Sequence, residues 1–262
     1  MTKIKVGVQL HPQHCSYDAY AEAVKQTEAM GVDSIWNWDH FFPLYGADEG
    51  NNNHYEGWTM LTAIAMLTEK VEIGTLVTCN SYRNPALLTH MANTVDHISH
   101  GRLILGIGAG WFEKDYDEFG YDFGTAGSRL RDLRESLPII KERMTKEIPA
   151  PVRNPIPIMI GGGGEKVTLK ITAEYADLWN GFGPPETWAR KNQILTDWCN
   201  EVGRDPSEIE RTVSLDRNSD IPDNLDAYAE AGATHFIVGM PVPIVPDAIE
   251  TLVAWRDKVN GA

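Results

Sequence analysis

The chain has 262 residues and a formal net charge of −14 at pH 7. So acidic a balance argues against nucleic acid and anionic membranes as partners, since both require basic surface. No apolar run reaches the ~18 residues of a membrane span. The opening Met1-Thr-Lys-Ile-Lys-Val leads straight into a strand pattern and lacks the features of a signal peptide. Cys15, Cys79 and Cys199 lie far apart and form no Cys-x-x-Cys pair, which indicates neither a disulfide framework nor a zinc site. The expectation is a soluble cytoplasmic protein, one domain over residues 1–262, long enough to bury a sizeable core.

Eight short apolar runs follow one another along the chain. The first, Ile4–Leu10, precedes a helical pattern of Tyr20, Ala23, Val24, Thr27 and Met30 that stops at Gly31. The second, Ser34–Asn37, runs into Trp38-Asp39-His40 and a polar connection from Phe41 to Tyr55. After the third, Glu72–Thr78, Asn84-Pro85 marks a helix start, and Leu88, Met91, Ala92, Val95 and Ile98 continue it to His100-Gly101. The fourth, Leu103–Ile107, ends in Gly108-Ala109-Gly110-Trp111 and a second long connection to Ser128. The fifth, Ile156–Ile160, runs into Gly161-Gly162-Gly163-Gly164. Leu178–Asn180 precedes a helix of Trp188, Leu195, Trp198 and Val202 closed by Gly203. Ile209–Leu215 and His235–Gly239 complete the set, and Ile249, Leu252, Val253 and Val259 mark the last helix.

Runs this short, rich in Val, Ile and Leu and mostly not alternating, suit parallel strands buried on both faces. Eight of them alternating with helices predict an α/β fold, a (β/α)8 TIM barrel, with a doubly wound sheet as the alternative. Barrels carry their chemistry at the C-terminal strand ends. The long connections after strands two and four are candidate lids or walls.

Three strand-end segments carry the candidate chemistry. The Gly161–Gly164 run lets backbone approach a ligand, and the following helix N-terminus suits a phosphate; a simple flexible turn is the other reading. It is neither a Walker A loop nor a strict Gly-x-Gly-x-x-Gly. Gly106-Ile-Gly-Ala-Gly110-Trp111 leaves either floor space for a flat ring or a tightly packed barrel mouth. In Asp39-His40, adjacent side chains on extended backbone diverge, and His40 is the group suited to proton transfer near neutral pH. A turn or helix cap is the alternative there. No His-Glu-x-x-His and no Gly-x-Ser-x-Gly occurs, so neither metal catalysis nor a nucleophile elbow is expected.

Together these segments resemble the luciferase-like monooxygenase family, and within it the oxidoreductases that use the deazaflavin coenzyme F420. The likeness rests on Trp38-Asp39-His40, Glu72 to Thr78 with Arg83-Asn-Pro85, Gly101 to Trp111, and Ile160 to Gly164 with Ala176-Asp177-Leu-Trp-Asn180. It implies a ring system bound at the C-terminal barrel mouth. Thr75-Leu76-Val77 would form a bulge with a cis peptide at Leu76–Val77 behind the middle ring. Asp39 would contact the ring edge, Gly108, Ala109 and Trp111 would line the site, and Gly161, Gly162, Gly163 and Gly164 would hold the phosphate.

One departure matters. The family's glucose-6-phosphate dehydrogenases carry a catalytic Glu where this chain has Trp111. A flatter or more apolar substrate is expected, with His40 as the remaining catalytic proton donor or acceptor. The resemblance implies hydride transfer between coenzyme F420 and a small organic substrate, in a homo-oligomer, typically a dimer. The rivals are an FMN-dependent monooxygenase fed by a separate reductase, a non-catalytic flavin-binding protein of the same fold, and a barrel hydrolase without organic cofactor.

Overall fold

The structure, a computed structural model, describes residues 3–46, 51–215 and 223–261. Its strands are β1 (Lys5–Leu10), β2 (Ser34–Asn37), β3 (Glu72–Thr75), β4 (Thr78–Cys79), β5 (Leu103–Gly108), β6 (Ile158–Gly161), β7 (Leu178–Phe182), β8 (Glu210–Leu215) and β9 (His235–Met240). All pair in parallel in the order β3-β2-β1-β9-β8-β7-β6-β5-β4, and a further pairing of β3 with β5 closes the sheet. The result is the (β/α)8 barrel, because β3 and β4 are two halves of one barrel strand. The eight apolar runs of the sequence are its eight strands.

The strands form where they do because each is buried on both faces; β5 and β9 are buried at every residue. Trp36, Ile104, Met159, Leu178 and Ile237 fill the barrel interior, with Leu76 packed on them. A larger apolar layer joins the outside of the barrel to its helices. Helix α1 (Tyr17–Ala29) stops at Gly31, whose φ of 82° suits a residue without a Cβ. Helix α2 spans Gly57–Leu67. Helix α3 (Pro85–Ile98) starts on Asn84, whose side chain accepts the N–H groups of Ala86 and Leu87.

The third strand departs from the expected continuous run. Between the pairs Gly74↔Ile104 and Thr78↔Ile107 it holds one residue more than its neighbour, which makes a bulge of Leu76 and Val77. The Leu76–Val77 peptide is cis. The connection after β5 also departs from a loop. It contains α4 (Glu113–Phe119), and α5 (Ala126–Met144) begins before Ser128. The connection Phe41–Tyr55 lies partly outside the described residues. Helices α6 (Thr168–Tyr175), α7 (Pro185–Val202), α8 (Leu225–Glu230) and α9 (Pro246–Asn260) complete the outer layer. Among the described residues no helix is long and apolar enough to cross a membrane.

A charge network closes the N-terminal end of the barrel. Lys5 Nζ lies 3.0 Å from Glu72 and 3.2 Å from Glu210, and Arg153 lies 2.7 Å from Glu72. His235 contacts Glu210 through Nδ1 at 3.1 Å and Ser34 Oγ through Nε2 at 2.7 Å. Burial opposes the Glu210 charge, but the His235 hydrogen bond and the charges of His235 and Lys5 outweigh it and hold the carboxyl down at about 2.

Candidate active site

The opposite end of the barrel gathers the strand-end residues. Asp39 and His40 follow β2, and their side chains diverge as extended backbone requires. Asp39 is buried and fully engaged. Arg83 donates to its two oxygens at 2.6 and 2.9 Å, and the Cys79 N–H donates at 3.0 Å. Arg83 also donates to Glu56, whose carboxylate caps α2 through the N–H groups of Trp58 and Thr59. Burial works against the Arg83 charge, but Asp39 and Glu56 outweigh it and raise the guanidinium above its usual range. What Asp39 directly grips is therefore the end of β4 and the Arg83 side chain.

His40 turns the other way. Its Nδ1 lies 2.7 Å from Asp115 Oδ2, on α4. Asp115 is wholly buried, and it also accepts the Tyr82 hydroxyl at 3.0 Å and the Phe41 N–H at 3.1 Å. Burial pushes the Tyr82 phenol strongly up, so Tyr82 stays a donor. A carboxylate that accepts from Nδ1–H fixes the imidazole tautomer and leaves Nε2 as the proton-exchanging nitrogen. Three aromatic rings meet the His40 ring edge-on: Trp38 at 6.0 Å, Trp111 at 5.7 Å and Phe112 at 5.5 Å between centroids. Trp38 is itself anchored by donating from Nε1 to His54 Nε2 at 3.1 Å. Burial, then the nearby His40, push His54 down to about 4, so it remains a neutral acceptor.

The bulge lies on the same barrel end, tied from several sides. Leu76 donates its N–H to Asn37 O at 2.7 Å, and Gln9 Nε2 donates to Leu76 O at 2.6 Å. Thr75 Oγ1 donates to Gly106 O at 3.2 Å and shares a hydrogen bond with Thr78 Oγ1. The glycines around it have a specific steric task. A Cβ on Gly108 or on Gly161 would lie 2.8 Å from a Val77 methyl, and one on Gly106 only 1.9 Å from Thr75 O. The space freed by these glycines is thus taken by the bulge. Of the two sequence readings of the Gly106–Trp111 segment, tight packing of the mouth describes Gly106 and Gly108, while Ala109 and Gly110 stay partly accessible.

The Gly161–Gly164 run leaves β6 and leads to α6. Gly162 has φ 131°, a conformation that other residues rarely adopt. Its carbonyl accepts Trp179 Nε1 at 2.8 Å, and Glu165 O accepts Trp198 Nε1 at 2.8 Å. Those contacts turn carbonyls into the protein. The N–H groups of Gly163 and Gly164 find no acceptor among the described residues. A Cβ on Gly163 would lie 2.6 Å from Lys191 Nζ, so an ammonium stands directly over the glycine backbone. Free N–H groups, a helix start and a cation make a cradle suited to a phosphate. Lys166, the cation suggested by sequence, is exposed; Lys191 on α7 is the one in place.

Sequence reasoning named His40 but not its partner. Asp115 sits in the acidic stretch Glu113-Lys-Asp-Tyr-Asp-Glu118 beside three other carboxylates, and nothing local marks it out. Its only sequence signal is the following Tyr116, also buried, on the inward face of α4. Arg83 belongs to the Arg83-Asn84-Pro85 segment, where only Asn84-Pro85 carries a local signal, and Lys191 has none.

A family model described as luciferase-like monooxygenase matches residues 1–250. The chain belongs to the luciferase-like monooxygenase family. Among similar proteins, the F420-dependent glucose-6-phosphate dehydrogenase of Amycolatopsis mediterranei is 28% identical over 236 residues, covering 83% of this chain and 68% of that protein. The 5,10-methylenetetrahydromethanopterin reductase of Methanolobus tindarius is 26% identical over 249 residues, covering 87% of this chain and 69% of its own length. Among solved structures, an F420-dependent secondary alcohol dehydrogenase superposes with a TM-score of 0.80 at 19% identity, over 95% of this chain and 96% of that one. That last likeness is one of fold, and it matches the luciferase-like barrel described above.

Proposed function

We propose that this chain is an oxidoreductase that transfers a hydride between coenzyme F420 and a small organic substrate at the C-terminal mouth of the barrel. The observation that carries the reading is the His40–Asp115 pair on the same barrel mouth as the Leu76–Val77 bulge and the glycine cradle. Family membership and the F420-dependent name of the Amycolatopsis mediterranei relative support the choice of coenzyme.

The residues present suit such a coenzyme. Gly161 to Gly164 with Lys191 would hold its phosphodiester. Leu76 and Val77 would back the ring, Thr75 would hold the bulge closed, and Gly108 and Ala109 would border it. Asp39 acts at the ring edge through the segment it grips with Arg83 and Cys79. When bound, the coenzyme supplies a two-electron hydride acceptor or donor. His40 Nε2 exchanges the accompanying proton with the substrate, while Asp115 holds the ring and stabilises the imidazolium. Trp111 lies against His40, on the substrate side of the site.

The assembly proposed is a homodimer. Helix α2 carries no charged residue, Met66 on it is 72% exposed, and with Tyr17, Tyr55 and Met60 it lines an apolar groove of about 540 Å³. In a chain of net charge −14 this is a face on which two copies meet without repulsion.

The deciding experiment titrates the apo-protein with coenzyme F420 and, separately, with FMN, following the fluorescence of its eight tryptophans. Tighter binding of F420 supports the proposal. Tighter binding of FMN moves the protein to the monooxygenase reading, and binding of neither rejects a flavin-type enzyme.

A further inference from the structure

We infer that Trp179 and Trp198 are the positioning residues of the glycine cradle. Each indole N–H latches one loop carbonyl inward and thereby turns the next backbone N–H out to meet a phosphodiester. The inference rests on the coenzyme-binding reading above. It starts from the two backbone groups of Gly162. The Gly162 N–H donates to Asn180 O at 3.1 Å, and the Gly162 carbonyl accepts Trp179 Nε1 at 2.8 Å, so both face β7. The φ of 131° at Gly162 permits that arrangement, and a residue with a Cβ rarely adopts it.

A trans peptide carries its C=O and the following N–H in opposite directions. With the Gly162 carbonyl held against β7, the Gly163 N–H points away from β7, and it finds no acceptor among the described residues. The same rule acts again further along the loop. The Glu165 carbonyl accepts Trp198 Nε1 at 2.8 Å, so the Lys166 N–H points away from α7 and likewise finds no acceptor among the described residues. Trp198 and Lys191 lie seven residues apart on one face of α7. One helix therefore presents both the cation over Gly163 and the second latch. Arg190 of the same helix fixes the Glu165 side chain at 2.6 Å.

A neighbouring ring separates this task from simple packing. Trp179 is wholly buried and stacks on the equally buried Trp188, with ring centroids 5.3 Å apart. Trp188 donates to Thr212 O at 3.3 Å, so of the two indoles Trp179 alone donates to the loop. Without that donor the Gly162–Gly163 peptide is free to turn, because the glycine on either side of it imposes no Cβ. A carbonyl turned into the cradle would repel the phosphate that the N–H attracts.

The test compares two probes by calorimetry: coenzyme F420, and its ribityl deazaflavin core, which lacks the phosphodiester. Wild type, Trp179→Phe, Trp198→Phe and Trp188→Phe are each titrated with both. Trp179→Phe should raise the F420 dissociation constant about tenfold, the worth of one hydrogen bond, and leave that of the core within about twofold of wild type. Trp198→Phe should act in the same direction. Trp188→Phe removes a ring from the same cluster but no latch, so it should leave the ratio of the two affinities as in wild type. An unchanged ratio in both Trp179→Phe and Trp198→Phe overturns the inference, and so does an equal fall in Trp188→Phe, which would assign the effect to packing. If Trp179→Phe does not fold by circular dichroism, Trp198→Phe decides alone. Failure of wild type to bind F420 sinks the coenzyme reading by itself. The latches are then judged with FMN against riboflavin in the same four proteins. If wild type gains no affinity from the phosphate in either pair, the latches fall as well.

Discussion

His40 Nδ1 and Asp115 Oδ2 lie 2.7 Å apart across 75 residues of chain, one on the end of a barrel strand and the other buried on α4. Every proton-transfer expectation for this protein follows from that contact. His40→Ala should leave coenzyme affinity nearly unchanged and slow turnover by about the 10²–10⁴-fold usual for lost acid–base catalysis. Unaltered steady-state rates would remove His40 from the chemistry.

Asp115→Asn should also slow turnover, by roughly 10²-fold or more, because the amide no longer selects the Nδ1–H tautomer. The two changes act on one device. The double variant should therefore be no slower than His40→Ala alone, whereas independent roles would multiply. A multiplicative loss in the double variant would show that Asp115 serves α4 and not the imidazole.

The glycine cradle is testable through its cation. Lys191→Met should raise the F420 dissociation constant about tenfold, in keeping with ~1.5 kcal/mol for a charge-assisted contact. It should also flatten the salt dependence of binding. Gly162→Val should weaken binding as well, since φ 131° strains a β-branched residue. Coenzyme affinity that survives both substitutions would move the phosphate away from this loop.

Val77 and Gly161 form a steric pair. A Cβ at position 161 would stand 2.8 Å from Val77 Cγ1, so Gly161→Ala should cost about 1–3 kcal/mol of stability through overpacking. Adding Val77→Ala should return most of that loss. Thermal melts of the single and double variants measure it, and additive losses would mean that the two side chains do not compete for the same space.

Glu210 sets an acid limit. Its folded carboxyl titrates at about 2, below the ordinary value of 4.5, because His235 and Lys5 outweigh its burial. The sign follows directly: above the unfolded value the contribution is complete, and it is lost as pH falls from about 5 towards 2. A carboxyl held that far below its ordinary value contributes roughly 3 kcal/mol. Urea unfolding at pH 7 should find Glu210→Gln about 2–3 kcal/mol less stable than wild type. That gap should shrink steadily by pH 3; a gap constant with pH would assign the loss to packing and not to charge.

Much of this architecture could be read from residues close together in the chain. Short Val-, Ile- and Leu-rich runs mark all eight barrel strands, because strands buried on both faces leave no room for alternation. Asn84-Pro85 starts α3, and Gly31 and Gly203 end their helices, because capping and positive φ are local demands. The place of His40 at a strand end followed from the same count of strands. The partners were settled only by closing the barrel. Closure brings α4 against β2 and selects Asp115 from a run of four acidic residues. It sets Lys191 of α7 over Gly163, and it puts Val77 into the space that Gly108 and Gly161 leave empty. Sequence period reports which way a side chain faces over a few residues, whereas which charge meets which, and which void is filled, depend on contacts between segments 28 to 84 residues apart.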